Sequence, residues 1–161
     1  CAEYISEHPN LIISRTLSKV HGLAGARLGF LIGNTELIQY ISRVRPMHEV
    51  SGLTAWAAHW ILDHPEFLED YNKIISKSKC FLQVELENLG VCFRDTAANF
   101  VLIKFQDPKI TASIERKLYK KKILIRRPFE ERVLRGWHRV CVGSMEDSTK
   151  LVNTIRSIIK D

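Results

Sequence analysis

Long hydrophobic runs are missing from this chain of 161 residues. No apolar stretch approaches the ~20 residues that a helix needs to cross a bilayer. The first residues, CAEYISE, do not resemble a secretory signal sequence. These two absences predict a cytoplasmic protein without a membrane partner. Internal repeats and low-complexity segments are also absent, and 45% of the residues are hydrophobic, which favours a folded core over a disordered chain.

Cysteine is scarce and widely spaced. The four cysteines, Cys1, Cys80, Cys92 and Cys141, include no C-x-x-C pair. Closely spaced pairs are the usual signature of a structural zinc site or a compact disulfide framework. The spacing therefore favours buried or incidental thiols, and we expect no bound metal.

Positive charge is in excess. Lysine and arginine outnumber the acidic residues by 24 to 18, and residues 119–122 (YKKK) with Arg126 and Arg127 form a local basic concentration. Such a cluster can attract phosphates or nucleic acid, but a solvated helix end is the favoured interpretation. No recognisable nucleic-acid module accompanies it, so no nucleic-acid partner is expected.

Glycine, proline and apolar spacing predict alternating strands and helices, which is an α/β protein. In the first part we expect strands at 11–13 and 27–32 and helices at 36–45 and 50–63, the latter mostly buried. A long amphipathic helix is expected at 66–89. The second part is predicted to contain strands at 99–105, 123–126 and 138–143 and helices at 108–120 and 145–160. The break at His64-Pro65 is the candidate domain boundary.

The most informative segment is residues 14–30, SRTLSKVHGLAGARLGF, which follows the first predicted strand. In open α/β sheets, ligands bind beyond the carboxyl ends of the strands, where Lys19 would lie. A lysine amine near other cations loses its proton more readily and can then form an imine with an aldehyde. Thr16, Ser18 and Arg27 offer donors suited to a phosphate. A solvated surface lysine is the alternative interpretation.

The same segment resembles the lysine segment of fold-type I pyridoxal-phosphate enzymes, and among them histidinol-phosphate aminotransferases. Those enzymes have an Arg-Thr-Leu-Ser-Lys run followed by Leu-Ala-Gly-x-Arg-x-Gly-Phe/Tyr, which corresponds to residues 15–19 and 23–30 here. The resemblance implies that Lys19 bonds covalently to pyridoxal 5'-phosphate. It also implies that Thr16, Ser18 and Arg27 hold the cofactor phosphate.

Two further arginines are similar to substrate-binding positions of that family. Residues 137–143, WHRVCVG, resemble the strand whose arginine binds the substrate α-carboxylate, so the resemblance assigns that role to Arg139. Arg126 matches an arginine that approaches the phosphate at the far end of the substrate. The following Arg127-Pro128 replaces a commoner acidic residue and weakens the inference of a phosphorylated substrate.

The resemblance implies the carboxyl-terminal portion of an aminotransferase. Residues 1–65 would end the large pyridoxal-phosphate-binding domain, and residues 66–161 would supply the linking helix and a small α/β domain. An amino donor similar to histidinol phosphate, 2-oxoglutarate as acceptor and a homodimer are implied as well. Other cofactor-binding residues of the family precede Cys1, so we expect the isolated chain to be inactive.

Two other functions remain open. A phospho-amino-acid decarboxylase, of the threonine-phosphate type, uses the same lysine loop and would release carbon dioxide, whereas amino transfer would yield glutamate. A non-catalytic binding module on the same scaffold would instead use the basic segment around residues 120–127. Steeply salt-dependent binding of a phosphorylated partner would favour that third interpretation.

Overall fold

The computed structural model describes residues 2–160, which form two compact units that divide between Tyr71 and Asn72. Helices and small sheets occur in both units, as expected for the α/β class. The division falls inside a long helix rather than at the sequence break near residue 65. The assignment of residues 1–65 and 66–161 to the large and small domains of an aminotransferase stays a prediction.

The first unit contains a hairpin of two strands, β1 (Ile12–Thr16) and β2 (Gly29–Gly33). The pair is antiparallel, with Ser14 opposite Leu31. The rule that ligands bind beyond the carboxyl ends of strands holds for parallel α/β sheets. It therefore does not apply to these two strands and cannot place Lys19 at a ligand-binding edge. A short 3-10 helix at Ala2–Ile5 precedes the hairpin, and another at Ala24–Ala26 lies in the connection between β1 and β2.

Two helices complete the first unit, α1 (Thr35–Ser42) and α2 (Gly52–Asp63). Each begins at a capping side chain, because Asn34 Oδ1 accepts a hydrogen bond from the Glu36 amide at 3.0 Å and Ser51 Oγ accepts one from the Thr54 amide at 3.1 Å.

The prediction that α2 is mostly buried is wrong for this structure. Ala58 is its buried residue, whereas Trp56 is 66% exposed and Leu53 is 76% exposed. The helix is apolar around most of its circumference, but no other described element packs broadly against it. Its apolar residues therefore remain in contact with solvent.

The second unit has a three-stranded antiparallel sheet in the order β3 (Cys92–Arg94), β4 (Phe100–Lys104), β5 (His138–Cys141). Three helices accompany it: α3 (Pro65–Asn88), α4 (Pro108–Lys120) and α5 (Met145–Lys160). The α3 helix begins in the first unit and ends in the second. The bounds of α4 and α5 agree with the predicted helices.

The core of the second unit joins the sheet to these helices. Residues at helical spacing face inward, such as Leu82 and Leu86 of α3 and Ile114 and Leu118 of α4, and each is at most 1% exposed. On β4 the inward positions alternate, as a strand with one buried face requires. The periodicity that predicted the helices is thus the same periodicity that builds the core.

One strand prediction in this unit is wrong, and one observed strand was not predicted. Residues 123–126 are irregular, and β3 was not expected. The segment after α4 begins with Lys122 in a left-handed conformation, at φ 60°. It approaches β5 through a hydrogen bond from the Arg126 amide to the Arg139 carbonyl at 3.2 Å. Pro128 then lacks the N–H that would continue a ladder.

Within residues 2–160, no helix combines the length and apolarity that a membrane span requires. The same residues contain no group of three or more histidine, cysteine or acidic side chains placed to hold a metal ion. Cys80, Cys92 and Cys141 are free and exposed, so of the two interpretations, buried or incidental thiols, the first is wrong for these three residues. Cys1 lies outside the described residues.

Candidate functional site

The loop between β1 and β2 carries Lys19. Its first residue after the strand, Leu17, is buried and hydrogen-bonds through its amide to the Leu28 carbonyl at 3.1 Å, which extends the hairpin by one pair. The Leu17 carbonyl also accepts a bond from Leu23 at 3.0 Å. A tight turn follows, in which the amide of Gly22, at φ +72°, bonds to the Lys19 carbonyl. Leu17 therefore anchors the loop, and the turn holds Lys19 outside the core.

Lys19 is exposed and lines a cavity of about 540 Å³. Thr16 and Arg15 line the same cavity, together with apolar side chains that include Phe30 and Ile32. No carboxylate lines it, and the Lys19 ammonium has no ion-pair partner in the part of the chain that the structure describes. A lysine amine is thus presented without a counter-ion beside a hydroxyl, a second cation and an apolar wall.

The hydroxyl of Thr16 is already engaged inside the loop. It donates to the Leu28 carbonyl at 3.4 Å and accepts a hydrogen bond from the Ser18 amide at 3.1 Å. Ser18 is half-buried and lies outside the lining of the Lys19 cavity. The structure therefore brings Thr16 and Lys19 to one cavity and leaves Ser18 outside its lining.

Arg27 ends the short 3-10 helix in a left-handed conformation, at φ 52°. Its side chain is exposed, and one guanidinium nitrogen, Nη1, donates to the Ala24 carbonyl at 3.3 Å. Its other N–H groups have no partner among residues 2–160, although the side chain does not line the Lys19 cavity. Gly29, two residues on, lies so close to β1 that a Cβ there would stand 2.7 Å from the Arg15 carbonyl oxygen. A side chain at position 29 would force the hairpin apart.

In the second unit, Arg126 and Arg139 line one cavity of about 490 Å³. Arg139 is half-buried on β5 with its guanidinium 5.5 Å from the Phe100 ring centroid, and its buried Nε has no hydrogen-bond partner. Arg126 is exposed, and its guanidinium lies 5.2 Å from the ring centroid of Phe129. Two cations, one of them with an unused buried donor, therefore share an open cavity.

A carboxylate also lines this cavity. Asp147 accepts hydrogen bonds from the hydroxyl and the amide of Ser144, at 2.7 and 3.1 Å. The bond from the Ser144 hydroxyl, followed by that from its amide, holds the pKa of the Asp147 carboxyl below its usual value. The carboxylate is therefore occupied in capping α5, as expected for the acidic start of that helix, and it leaves the arginines unpaired.

His138 belongs to none of the candidate site residues that the motifs indicate. Its side chain is fully buried next to Arg139, and Nδ1 lies 3.3 Å from the Arg126 carbonyl oxygen. Burial lowers the pKa of its imidazole, whereas the contact with Arg126 and the charge of Glu115 oppose the shift. The alternation that placed Val140 on the inner face of β5 also places position 138 there, so the signal was available in the sequence.

Comparisons with known proteins identify the family and the fold of the chain. Histidinol-phosphate aminotransferase 2 of Carboxydothermus hydrogenoformans is 30% identical over 157 residues, which are 98% of this chain and 42% of that protein. The chain therefore spans less than half the length of this curated relative.

Two solved structures share the fold. Histidinol-phosphate aminotransferase from Sinorhizobium meliloti, in complex with pyridoxal-5'-phosphate, has a TM-score of 0.85 at 24% identity, over 94% of this chain and 42% of that one. L-threonine-O-3-phosphate decarboxylase from Porphyromonas gingivalis has a TM-score of 0.83 at 19% identity, over 99% of this chain and 50% of that one. At these identities the similarity shows the fold and not the reaction.

A family model described as aminotransferase class I and II matches residues 3–155. This match confirms the resemblance that the lysine segment and the Arg139 strand indicated. The chain belongs to the aminotransferase class I and II family.

Proposed function

We propose that this chain is part of a pyridoxal-phosphate-dependent aminotransferase in which Lys19 binds the cofactor. The observation that carries the proposal is the exposed Lys19 amine, which lines a cavity without a carboxylate in a chain of this family. A lysine that is not held in an ion pair is free to approach an aldehyde, and the neutral amine is the form that attacks it.

The residues present fit the cofactor. Its aldehyde would bond to the Lys19 amine inside the cavity. Donors for its phosphate, the Ser18 hydroxyl and the unused N–H groups of Arg27, belong to the same loop but lie outside the lining of that cavity. The apolar wall with Phe30 and Ile32 suits a flat ring. When bound, pyridoxal phosphate withdraws electrons from the bonds at the Cα of an amino acid.

Lys19 would also act as the acid and base of the reaction. Once its amine is free, Nζ would act as the base that accepts the proton from the substrate Cα. The resulting ammonium would then act as the acid that donates this proton to complete the proton transfer. Arg139 would bind the α-carboxylate through its planar guanidinium, whose buried Nε has no other partner. A planar pairing of this kind holds a carboxylate in one orientation.

We assign the amino donor to the phosphorylated amino alcohols and amino acids, with histidinol phosphate as the first candidate and 2-oxoglutarate as the acceptor. Arg126 supports this assignment, because it lines the Arg139 cavity and its side chain is exposed. A homodimer and a cytoplasmic location belong to the same proposal.

Phosphothreonine decarboxylation is the second candidate, because decarboxylases of that type use the same lysine loop; the decarboxylase from Porphyromonas gingivalis shares the fold of this chain. Both reactions would use Lys19 and Arg139. They differ in the Cα bond that breaks, so product analysis separates them. Glutamate formation from 2-oxoglutarate would support amino transfer, and release of carbon dioxide would support decarboxylation.

The experiment that tests cofactor binding is borohydride trapping followed by peptide mass spectrometry. The protein is incubated with a small excess of pyridoxal phosphate, reduced and digested, and the label on each lysine is quantified. Lys77, an exposed lysine on α3, is the internal control. We expect labelling of Lys19 to exceed that of Lys77 by roughly tenfold or more, because a site selects one amine whereas solution chemistry does not.

The variants Lys19→Ala and Lys77→Ala complete the test. The first is expected to abolish the preferred label and the second to leave it unchanged. Equal labelling of both lysines in the unmodified protein would sink the proposal that Lys19 is the cofactor lysine, and the non-catalytic interpretation would then replace it.

A further inference from the structure

A second cavity in the second unit contains a cluster of lysines. It measures about 500 Å³ and opens between α4 and α5. Four lysines line it, Lys117, Lys120, Lys121 and Lys150, and no carboxylate does. Across residues 2–160, none of these ammonium groups forms an ion pair or side-chain hydrogen bond with another residue. Four positive charges therefore face one space without a lining carboxylate, although the charge of Lys150 also acts on Asp147 one turn earlier in α5.

Helix electrostatics explain only part of this cluster. Lysines in the last turn of α4 are stabilised by the negative end of that helix. Lys150 comes from the second turn of α5, nearer the end where the dipole disfavours a cation. Its convergence with the α4 lysines costs repulsion that a bound anion would remove.

The remaining lining groups supply further donors. Asn153 Oδ1 accepts a hydrogen bond from Arg156 at 2.8 Å, which leaves the Asn153 amide N–H groups free. The Ser157 hydroxyl lines the cavity and has no partner within the described chain. The Thr154 hydroxyl, by contrast, donates to the Lys150 carbonyl at 2.8 Å and is used. A cavity lined by free donors fits a ligand that offers only acceptors.

We propose that this groove binds an oligophosphate, meaning two or more linked phosphates that are free or carried on a small organic molecule. Phosphate oxygens accept hydrogen bonds in every direction, which suits lysines as point charges. The volume is that of a small-molecule site. No aromatic side chain lines it, whereas single-stranded nucleic acid is usually held on stacking platforms. The proposal goes beyond the aminotransferase site, because the groove includes neither Lys19 nor the arginine cavity.

Calorimetric titration of the chain with sodium tripolyphosphate at about 0.15 M ionic strength tests the proposal directly. Orthophosphate at matched ionic strength is the ligand control. We expect tripolyphosphate to bind at least about tenfold more tightly, since it engages several lysines at once. No detectable binding, or equal binding of the two anions, would overturn the proposal.

Matched charge variants locate the binding. Lys120→Gln with Lys150→Gln removes two groove charges, and Lys77→Gln with Lys109→Gln removes two charges from exposed positions elsewhere on the helices. The groove pair is expected to weaken tripolyphosphate binding by at least about tenfold and the control pair by less than about twofold. Equal weakening of tripolyphosphate binding by the two pairs would show that only the net charge of the chain matters, and it would overturn the groove as the binding site.

Three further arms identify the anion and its place. The double variant Arg126→Gln, Arg139→Gln should leave tripolyphosphate binding intact. Loss of binding would show that the anion binds in the arginine cavity and would overturn the proposal. A nucleoside triphosphate that binds as tightly as tripolyphosphate identifies the phosphate chain as the ligand, and tighter binding identifies an organic carrier. A single-stranded oligonucleotide that binds more tightly than both would overturn the proposal in favour of nucleic acid.

A footprint on the unmodified chain avoids any effect of substitution on folding. Acetylation of Lys120 and Lys150 should slow when tripolyphosphate is present, whereas acetylation of Lys77 should not. Uniform rates at all three lysines would contradict the groove.

Discussion

At the scale of single residues, His138 couples the folding of the second unit to pH. It is the only histidine in residues 72–161 and is fully buried. Its Nε2 has no partner, and burial lowers the pKa of the imidazole. As the pH falls below about 6.5, the His138 imidazole of the unfolded chain becomes protonated, whereas that of the folded unit stays neutral.

The free energy of unfolding of the second unit should therefore fall between about pH 7.5 and about pH 5.5, with a slope of at most ~1.4 kcal/mol per pH unit. Urea denaturation followed by circular dichroism at several pH values measures this slope. His138→Phe should remove it, and His59→Phe, at an exposed histidine in the first unit, should not. A slope that persists in His138→Phe would assign it to other groups.

Cys141 reports the field of the two arginines. It is exposed on β5, two residues from Arg139, and lines the cavity that Arg126 shares. A positive field raises the local concentration of anions. The alkylation rate of this thiol by the negatively charged iodoacetate should therefore rise relative to its rate with neutral iodoacetamide.

We expect the rate ratio of iodoacetate to iodoacetamide to be roughly threefold or more higher at Cys141 than at Cys80, an exposed thiol on α3. Alkylation followed by peptide mass spectrometry gives both ratios in one sample. Arg139→Gln should bring the Cys141 ratio down towards that of Cys80. If the two ratios are equal in the unmodified chain, the cavity does not concentrate anions.

At the scale of elements, Lys79 ties α3 to the connection between β3 and β4. Its partly buried ammonium donates to the carbonyls of Thr96 and Ala98 and pairs with Asp95 at 2.6 Å. The side-chain hydrogen bond from Lys79 is the largest cause of the lowered pKa of the Asp95 carboxyl. One side chain thus closes a connection that has no regular structure.

Lys79→Met keeps the aliphatic length of the side chain and removes these bonds. We expect it to lower the free energy of unfolding by about 1–3 kcal/mol, since the Thr96 carbonyl loses its ammonium donor and the Ala98 carbonyl keeps only the Thr96 hydroxyl, at 3.4 Å. Lys77→Met, two residues away on an exposed position, should change it by less than about 0.5 kcal/mol. Chemical denaturation measures both, and equal effects would refute a specific role for Lys79.

The elements that the sequence predicts well are those with local signals. The α4 helix is preceded by Asp107, whose side chain accepts from the Lys109 amide at 2.7 Å, and Pro108 occupies its first turn. The Ser144 and Asp147 pair marks the start of α5 in the same way. Such signals lie within a few residues of each other and can be read without tertiary structure.

Other elements depend on partners distant in the sequence. The strand β3 needs only three residues because it pairs with β4, with Cys92 opposite Lys104. The segment 123–126 does not form a strand because a single backbone hydrogen bond links it to β5. The candidate site follows the same division. Motif spacing located Lys19 and Arg139, but the occupied hydroxyl of Thr16 and the contact between His138 and Arg126 arise only from folding.

At the scale of the whole molecule, the two units differ in how much apolar surface they bury. The second unit has a continuous core drawn from α3, α4, α5 and its sheet. In the described part of the first unit, Leu17 and Ala58 are the buried hydrophobic side chains. Burial of apolar area is the main favourable contribution to folding, so stability should be distributed unequally along the chain.

Native-state hydrogen exchange of the whole chain measures this distribution. The slowest amides are expected in α4, α5 and the β3–β5 sheet, where opening requires exposure of the core. Amides of β1, β2 and α2 are expected to exchange faster by at least about tenfold, because local opening there exposes little additional apolar surface. Limited proteolysis should cut first within residues 2–71 and leave a resistant fragment that contains residues 72–160. Equal protection of β1 and α5 would contradict this order and would mean that the first unit draws its stability from contacts other than a buried core.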